Sequence, residues 1–306
     1  MTVLCVLNPT AGRGGRRLTD KVAALLRAKG VDVELRQTQV RGDAERLARA
    51  AAARDPALAG GKVRVIAVAG GDGTINEVAN GILGSDIPIA VIPSGTANVL
   101  AHEIGMKARA DRIVDTILNG KSITCWPGTL DGRCFVAMVG AGFDARTVAA
   151  ASSGIKQWIG KGAYGLAGLP VFFQANAPLY RVIADNQSFD AAWVVVSKTQ
   201  YYAGRYVIAP GASLTEPTLR VFLLEEPGRL ALLRTLLGIA MGRVEKTRGV
   251  RLMDCKSVKI SRLNGSSEGA DSAPDPIEAD GDLAGTLPAE IAVAPKNVKI
   301  LTPSDG

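Results

Sequence analysis

The 306-residue chain is 47% hydrophobic and 21% charged, a globular composition long enough for two domains, which excludes an intrinsically disordered protein. Lys and Arg outnumber Asp and Glu by 36 to 29, and the net charge of +7 favours polyanions: nucleotides, an anionic membrane surface or nucleic acid. Aromatic residues are 5% and do not interleave with basic runs, which ranks nucleic acid last, while four cysteines without a CxxC pair and a single histidine supply a zinc site or a histidine triad poorly.

Met1 leads directly into the first strand, Val3 to Leu7, with no signal peptide, and no apolar run is long and unbroken enough to span a bilayer. The expectation is a cytoplasmic protein. The strand ends in Asn8-Pro9-Thr10-Ala11-Gly12-Arg13-Gly14-Gly15, and Leu18, Val22, Leu25 and Leu26 mark the helix beyond. This spacing is neither Walker A nor GxGxxG, so by itself the loop reads equally as a flexible basic turn or as a nucleotide contact. Val31 to Leu35 is the next strand, Thr38 lies just past it, and Asp43 opens a helix with Ala44, Leu47, Ala48 and Ala51 inward.

Val63 to Ala69 is almost continuously apolar, as in a strand buried on both faces of a parallel sheet. It runs through Gly70-Gly71-Asp72-Gly73-Thr74 into a helix on which Ile75, Val78, Ala79 and Ile82 recur at helical spacing, with Asn76 beside them. Glycines let the backbone approach a ligand, and the first helical N–H groups favour anionic oxygens. Asp72 would repel phosphate without an intervening cation, so the turn suggests nucleotide phosphate with Mg²⁺. Plain strand–helix punctuation competes, because Asp-Gly is a common turn and Thr74 with Glu77 fits a capping box. Ile87 to Ile92 is a fourth strand, ending in Pro93-Ser94-Gly95-Thr96-Ala97-Asn98 before the helix Val99 to Ile104. Thr96 could cap that helix and Asn98 could stabilise the turn, but polar and glycine residues now recur at several strand ends. In an open parallel sheet such ends share one ligand-binding edge. His102 reads as surface or second-layer.

From about Ile123 the pattern becomes short β runs, Ile123 to Trp126 among them, which predicts a mostly antiparallel sheet domain. Helices interrupt it at Gly160 to Gln174 and Arg229 to Arg243. The second, carrying Leu230, Leu233, Leu236, Leu237, Ile239, Ala240 and Met241, reads first as a core helix, with contact to a membrane surface as the alternative. Asn264 to Pro276 is a Gly-, Ser- and Pro-rich loop leading to the acidic turn Glu278-Ala279-Asp280-Gly281-Asp282. The two carboxylates that flank Gly281, Asp280 and Asp282, are either simply solvated or placed so that one takes a proton from an attacking hydroxyl and its neighbour helps hold Mg²⁺.

GGDGT at Gly70 to Thr74, extended as INEVANGI, with NPTAG at Asn8 to Gly12, PSGTANVLA at Pro93 to Ala101 and DGD at Asp280 to Asp282, resembles the diacylglycerol kinase catalytic family of lipid kinases. GAGFDARTV at Gly140 to Val148, GKGAYGLAGL at Gly160 to Leu169 and YYAGRYVIAPGA at Tyr201 to Ala212 extend the resemblance nearly end to end. It implies an α/β nucleotide-binding domain of the NAD kinase and diacylglycerol kinase type over residues 1–122, completed by 295–306, and a C-terminal β-sandwich over 123–294. It implies ATP contacts from Asn8, Pro9, Thr10, Ala11, Gly12, Thr38, Gly70, Gly71, Asp72, Gly73, Thr74, Ile75, Asn76 and Thr96, with Asp72 near the catalytic Mg²⁺. The family's usual late motif is DGE, its glutamate the general base. Here Asp282 is one methylene shorter, so either the backbone moves closer or Asp280 shares the role. Val99 follows Asn98 where many members have Asp, and Glu216-Pro217 stands where relatives place a structural Mg²⁺ ligand. The expected activity is transfer of the ATP γ-phosphoryl to a lipid hydroxyl at an anionic inner-membrane surface, with a homodimer by family analogy. An NAD-kinase-like enzyme and a non-catalytic ATP- or lipid-binding regulator are the alternatives.

Overall fold

The computed structural model describes the chain except residues 13, 153–177, 264–274 and 305–306. The predicted helix Gly160 to Gln174, the GKGAYGLAGL segment and residues 264–274 of the predicted loop lie outside the described residues. In chain order the elements are β1 (Thr2–Leu7), α1 (Gly15–Ala28), β2 (Asp32–Gln37), α2 (Asp43–Ala52), β3 (Val63–Gly70), α3 (Asp72–Gly81), β4 (Ile89–Pro93), α4 (Val99–Glu103), α5 (Ala110–Asn119) and β5 (Lys121–Cys125). There follow β6 (Gly128–Leu130), β7 (Arg133–Phe135), β8 (Met138–Ala141), α6 (Phe143–Ser152), β9 (Tyr180–Ala184), β10 (Gln187–Ala191), β11 (Trp193–Ser197), β12 (Tyr201–Tyr202), β13 (Tyr206–Val207) and β14 (Leu219–Leu224). The last are α7 (Arg229–Ala240), β15 (Val250–Cys255), β16 (Ser257–Arg262), β17 (Pro276–Ala279), β18 (Asp282–Thr286), β19 (Ala289–Val293) and β20 (Val298–Thr302).

Two compact units result, one of Met1–Pro127, Leu214–Glu216 and Ala294–Gly306, the other of Gly128–Ser213 and Pro217–Val293. The first is built on a six-stranded sheet of order β2-β1-β3-β4-β20-β5, parallel except where β5 runs against β20. β3 and β4 lie inside the sheet, so nearly every side chain on them is buried and their sequences read as apolar runs interrupted only at exposed Arg64. The helices lay apolar stripes on the sheet, as α1 does with Val22, Ala23 and Leu26.

One strand corrects the sequence reading. The run Ile123 to Trp126, grouped there with the β-rich domain, falls largely in β5, which closes this first sheet instead, with Cys125 opposite Val298 and Lys121 opposite Thr302. It is an edge strand with mostly exposed side chains, a pattern that antiparallel sheets of either unit would share.

The second unit packs two six-stranded antiparallel sheets, β10-β9-β16-β19-β6-β7 and β15-β14-β11-β8-β17-β18. Alternate residues from both sheets fill the core between them: Tyr180, Val182 and Ala184 on β9, Val194 and Val196 on β11, and Leu219, Val221 and Leu223 on β14. The opposite side of the second sheet carries Trp193, whose ring meets Phe143 at 5.3 Å and Phe222 at 5.1 Å, both edge-on.

Helix α7 also departs from the core-helix expectation. It buries Ala231, Thr235, Gly238 and Ile239, while Leu230, Leu233, Leu237 and Met241 are exposed. At Gly238 the following chain passes close: a Cβ there would overlap Thr247 Oγ1. Among the described residues no helix is long and apolar enough to cross a membrane.

Candidate active site

The carboxyl ends of β1, β3 and β4 lie side by side, and their loops are pressed together at glycines. A Cβ on Gly95 would overlap Gly71 Cα, and one on Gly12, whose φ is 144°, would overlap the Ser94 carbonyl oxygen. Hydrogen bonds tie the same loops. Asn8 N donates to Ala69 O at 2.9 Å and Ser94 N to Gly70 O at 3.3 Å, while Asn8 Nδ2 donates to Thr74 Oγ1 at 2.9 Å. Thr38 joins at the end of β2, its N–H donating to Leu7 O at 2.9 Å.

The segments of the expected ATP contacts therefore meet, though several groups are engaged in building the turn. Asn8 Oδ1 accepts from Thr10 N at 3.0 Å and Thr10 Oγ1 at 2.8 Å, an Asx turn. The Thr74 and Ile75 N–H groups both donate to Gly71 O, and the Ile75 side chain is core. Pro9, Thr10, Gly12 and Thr96 are exposed, and Ala11, Gly71, Gly73 and Asn76 are half-buried. Just beyond the first loop, Arg16, Arg17 and Lys21 line a shallow depression of about 760 Å³ with Gly14, Asp20 and Ala24.

Asp72 is buried, and its carboxylate faces the start of α4, accepting from Val99 N at 3.1 Å and Leu100 N at 3.0 Å. Asn98, at the cap position, is left-handed and makes no side-chain cap bond of its own; its amide instead bridges Gly95, which stabilises the turn. A carboxylate from another loop thus neutralises this helix start. Burial raises the Asp72 pKa against the lowering effect of the two N–H bonds.

The Thr74–Glu77 capping box is absent. Helix α3 begins at Asp72, three residues earlier than a Thr74 cap requires, which places Glu77 too far along to reach back. Glu77 caps the neighbouring helix instead, accepting from Gly42 N at 3.0 Å and Ala44 N at 3.2 Å.

In the second unit the acidic turn is a β17–β18 hairpin whose two central residues, Asp280 and Gly281, have φ of 50° and 86°. Positive φ at both positions suits an Asp-Gly pair. The Asp280 carboxylate is buried and accepts three backbone N–H groups, from Val136 and Ala137 at 2.8 Å and Met138 at 3.0 Å. The proposed sharing of general-base duty by Asp280 conflicts with this geometry, because both oxygens are engaged in holding the 136–138 backbone. Asp282, first residue of β18, is exposed.

Sequence reasoning missed two acids here. Asp144, in the first turn of α6, is buried, and its carboxylate lies so close over Gly140 that a Cβ there would overlap it. Burial pushes its pKa up to about 7. Glu278 is also buried, accepts from Gly281 N at 2.9 Å, and has its pKa raised by burial and then by the Asp144 charge. The lost signal was Gly140 itself, a glycine inside a strand four residues before an acid. Glu216 is exposed, and among the described residues no group of three or more His, Cys, Asp or Glu side chains is arranged to hold a metal.

Comparison with known proteins matches residues 2–129 to the diacylglycerol kinase catalytic domain and residues 137–302 to the YegS C-terminal NAD kinase beta sandwich-like domain. A diacylglycerol kinase of Mycobacterium tuberculosis (strain H37Rv) is 28% identical over 324 residues, covering 99% of this chain and 96% of the relative. One of Staphylococcus carnosus (strain TM300) is 26% identical over 98% of this chain and 94% of its own. The crystal structure of a diacylglycerol kinase from Bacillus anthracis str. Sterne shares the fold, with a TM-score of 0.76, 22% identity, and coverage of 99% of this chain and 98% of that one.

Proposed function

Because the chain belongs to the diacylglycerol kinase catalytic family, we propose that it is an ATP-dependent lipid kinase working in the cytoplasm, with diacylglycerol or a related membrane lipid as acceptor. The observation that supports this most is the contact of three glycine-bearing strand ends around the N-terminus of α3, which gives anionic phosphates a backbone-lined place to sit. In the reaction the lipid hydroxyl oxygen forms a bond to the γ-phosphorus as the bond to the β,γ-bridging oxygen breaks, and ADP leaves. Asp282, exposed on its strand, takes the hydroxyl proton. Asp280 is a positioning residue that fixes the hairpin from which Asp282 projects.

The residues present fit a magnesium ion that arrives with nucleotide phosphates rather than one held in a protein cage. Asp72 is buried and each of its oxygens already accepts an N–H at the start of α4, so its carboxylate would contribute negative charge near such an ion rather than a direct ligand. When bound, the ion would offset phosphate charge.

The test is transfer of labelled γ-phosphate from ATP and Mg²⁺ to a lipid panel in mixed micelles, with NAD and Asp282→Ala as parallel arms. The expected result is a labelled lipid, lost by about a hundredfold or more in the variant. Labelled NAD, or ATP binding without transfer to any lipid, would overturn the reading.

A further inference from the structure

The large apolar side chains on α7 point the wrong way for a core helix. Leu230 is 83% exposed, Leu233 43%, Leu237 51% and Met241 63%. At about 100° per residue these four fall within one stripe, with exposed Ala240 at its margin. The buried face is Ala231, Thr235, Gly238 and Ile239. Rotating the helix to bury the leucines would set a leucine where Gly238 touches Thr247, and that contact has no room even for a Cβ. The Gly238 contact with Thr247 thus favours the rotation that leaves the leucines outward.

The charges beside the stripe are one-sided. Residues 229–249 hold Arg229, Arg234, Arg243, Lys246 and Arg248 against a single acid, Glu245. Acids from the preceding strand end are balanced, Glu226 pairing with Arg234 at 2.7 Å and Arg248 at 3.1 Å, and Glu225 pairing with Arg251. Arg229 precedes the stripe while Arg243 and Lys246 follow it, all three exposed.

We propose that the exposed face of α7 is a membrane-docking surface that lies in the plane of an anionic bilayer, its leucines in the acyl boundary and Arg229, Arg243 and Lys246 among the head groups. The pattern of an apolar stripe with basic flanks and no acid on the helix is that of an interfacial helix. A second copy of the chain fits less well. Two-fold pairing on this face would set Arg229 against the copy's Arg243 and Lys246, or each against itself, repelling either way. The choice of a lipid occupant rests on the lipid-kinase reading, but binding to vesicles is measured without ATP and stands apart from catalysis.

The experiment is flotation of the full chain with vesicles of phosphatidylcholine alone or of equal parts phosphatidylcholine and phosphatidylglycerol. Wild type, Leu230→Ser/Leu233→Ser/Leu237→Ser and Arg243→Glu/Lys246→Glu are compared, with light scattering for oligomeric state and phosphorylation of a dispersed short-chain diacylglycerol. Expected are binding to the anionic vesicles and a loss of at least about tenfold in each variant, roughly 1.4 kcal/mol, with short-chain turnover unchanged. Equal binding by wild type and the serine variant would overturn the proposal. So would a wild type that ignores anionic vesicles, or a dimer that the serine substitutions dissociate. If wild type binds vesicles through α7 but phosphorylates no lipid, the docking surface holds and the kinase reading fails.

Discussion

Replacing Asp280 by alanine removes the acceptor for three buried N–H groups, those of Val136, Ala137 and Met138. An amide left unpaired in a protein interior costs about 1–3 kcal/mol, and relaxation lets some recover partners, so the expected loss is about 3–6 kcal/mol. Alanine also tolerates the left-handed φ of 50° at this position less well than aspartate. Against a typical total of about 5–15 kcal/mol, that approaches unfolding. Asp282→Ala, by contrast, changes an exposed side chain and should stay within about 0.5 kcal/mol of wild type. Urea unfolding followed by circular dichroism, run beside the phosphotransfer assay, separates the two roles. Asp280→Ala should lose stability and, with it, activity, whereas Asp282→Ala should lose activity alone. Asp280→Asn, which keeps an acceptor oxygen and tolerates positive φ, should fall between. If Asp280→Ala unfolds within about 1 kcal/mol of wild type yet is inactive, the positioning argument is wrong and Asp280 belongs to the chemistry.

Gly95→Ala would drive a methyl into Gly71 Cα and part the two turns, at about 1–3 kcal/mol of overpacking. ATP affinity measured by calorimetry should fall about tenfold or more, and an unchanged affinity would show that the close approach is not needed for nucleotide. Asp144 gives a pH signature. Its pKa rises from 3.8 unfolded to about 7 folded, so between those values the folded state holds a proton that the unfolded state has lost. Stability from this group is therefore complete below about pH 4 and is lost as pH rises through about 7, amounting to about 4 kcal/mol at most. Urea midpoints for wild type and Asp144→Asn should converge or cross across this window, with the asparagine variant relatively more stable at pH 8, and parallel profiles would refute the shift.

The α/β unit was legible because its decisive signals are local. A doubly buried strand such as β3 must be apolar over its buried length, and a strand that passes into a helix through Gly70 to Thr74 announces its turn in consecutive residues. What escaped depends on partners far along the chain. Asp280 meets its amides across more than a hundred positions of sequence, and nothing near it foretells them. Glu77 sits at capping-box spacing but serves another helix, because spacing alone does not say where α3 begins. On α7 the periodicity marked an apolar helix correctly, yet which side faces inward shows only in distant contacts such as that of Thr247 with Gly238. Lys121–Cys125 reads as a strand in either unit, and only its pairing with β20 assigns it.

That pairing also sets an order of events during synthesis. β20 lies between β4 and β5, so when the ribosome has finished the first five strands, β4 still has an open edge and β5 has no neighbour. The missing strand comes only after the whole second unit has been made, a wait of roughly ten to forty seconds at about 5–20 residues per second. Through that interval the nascent chain carries an unpaired, apolar parallel-sheet edge, the kind of surface on which chains stick to one another. The sandwich is thus free to form while the α/β unit waits, and a chain that ends before Val298 would keep its adhesive edge for good.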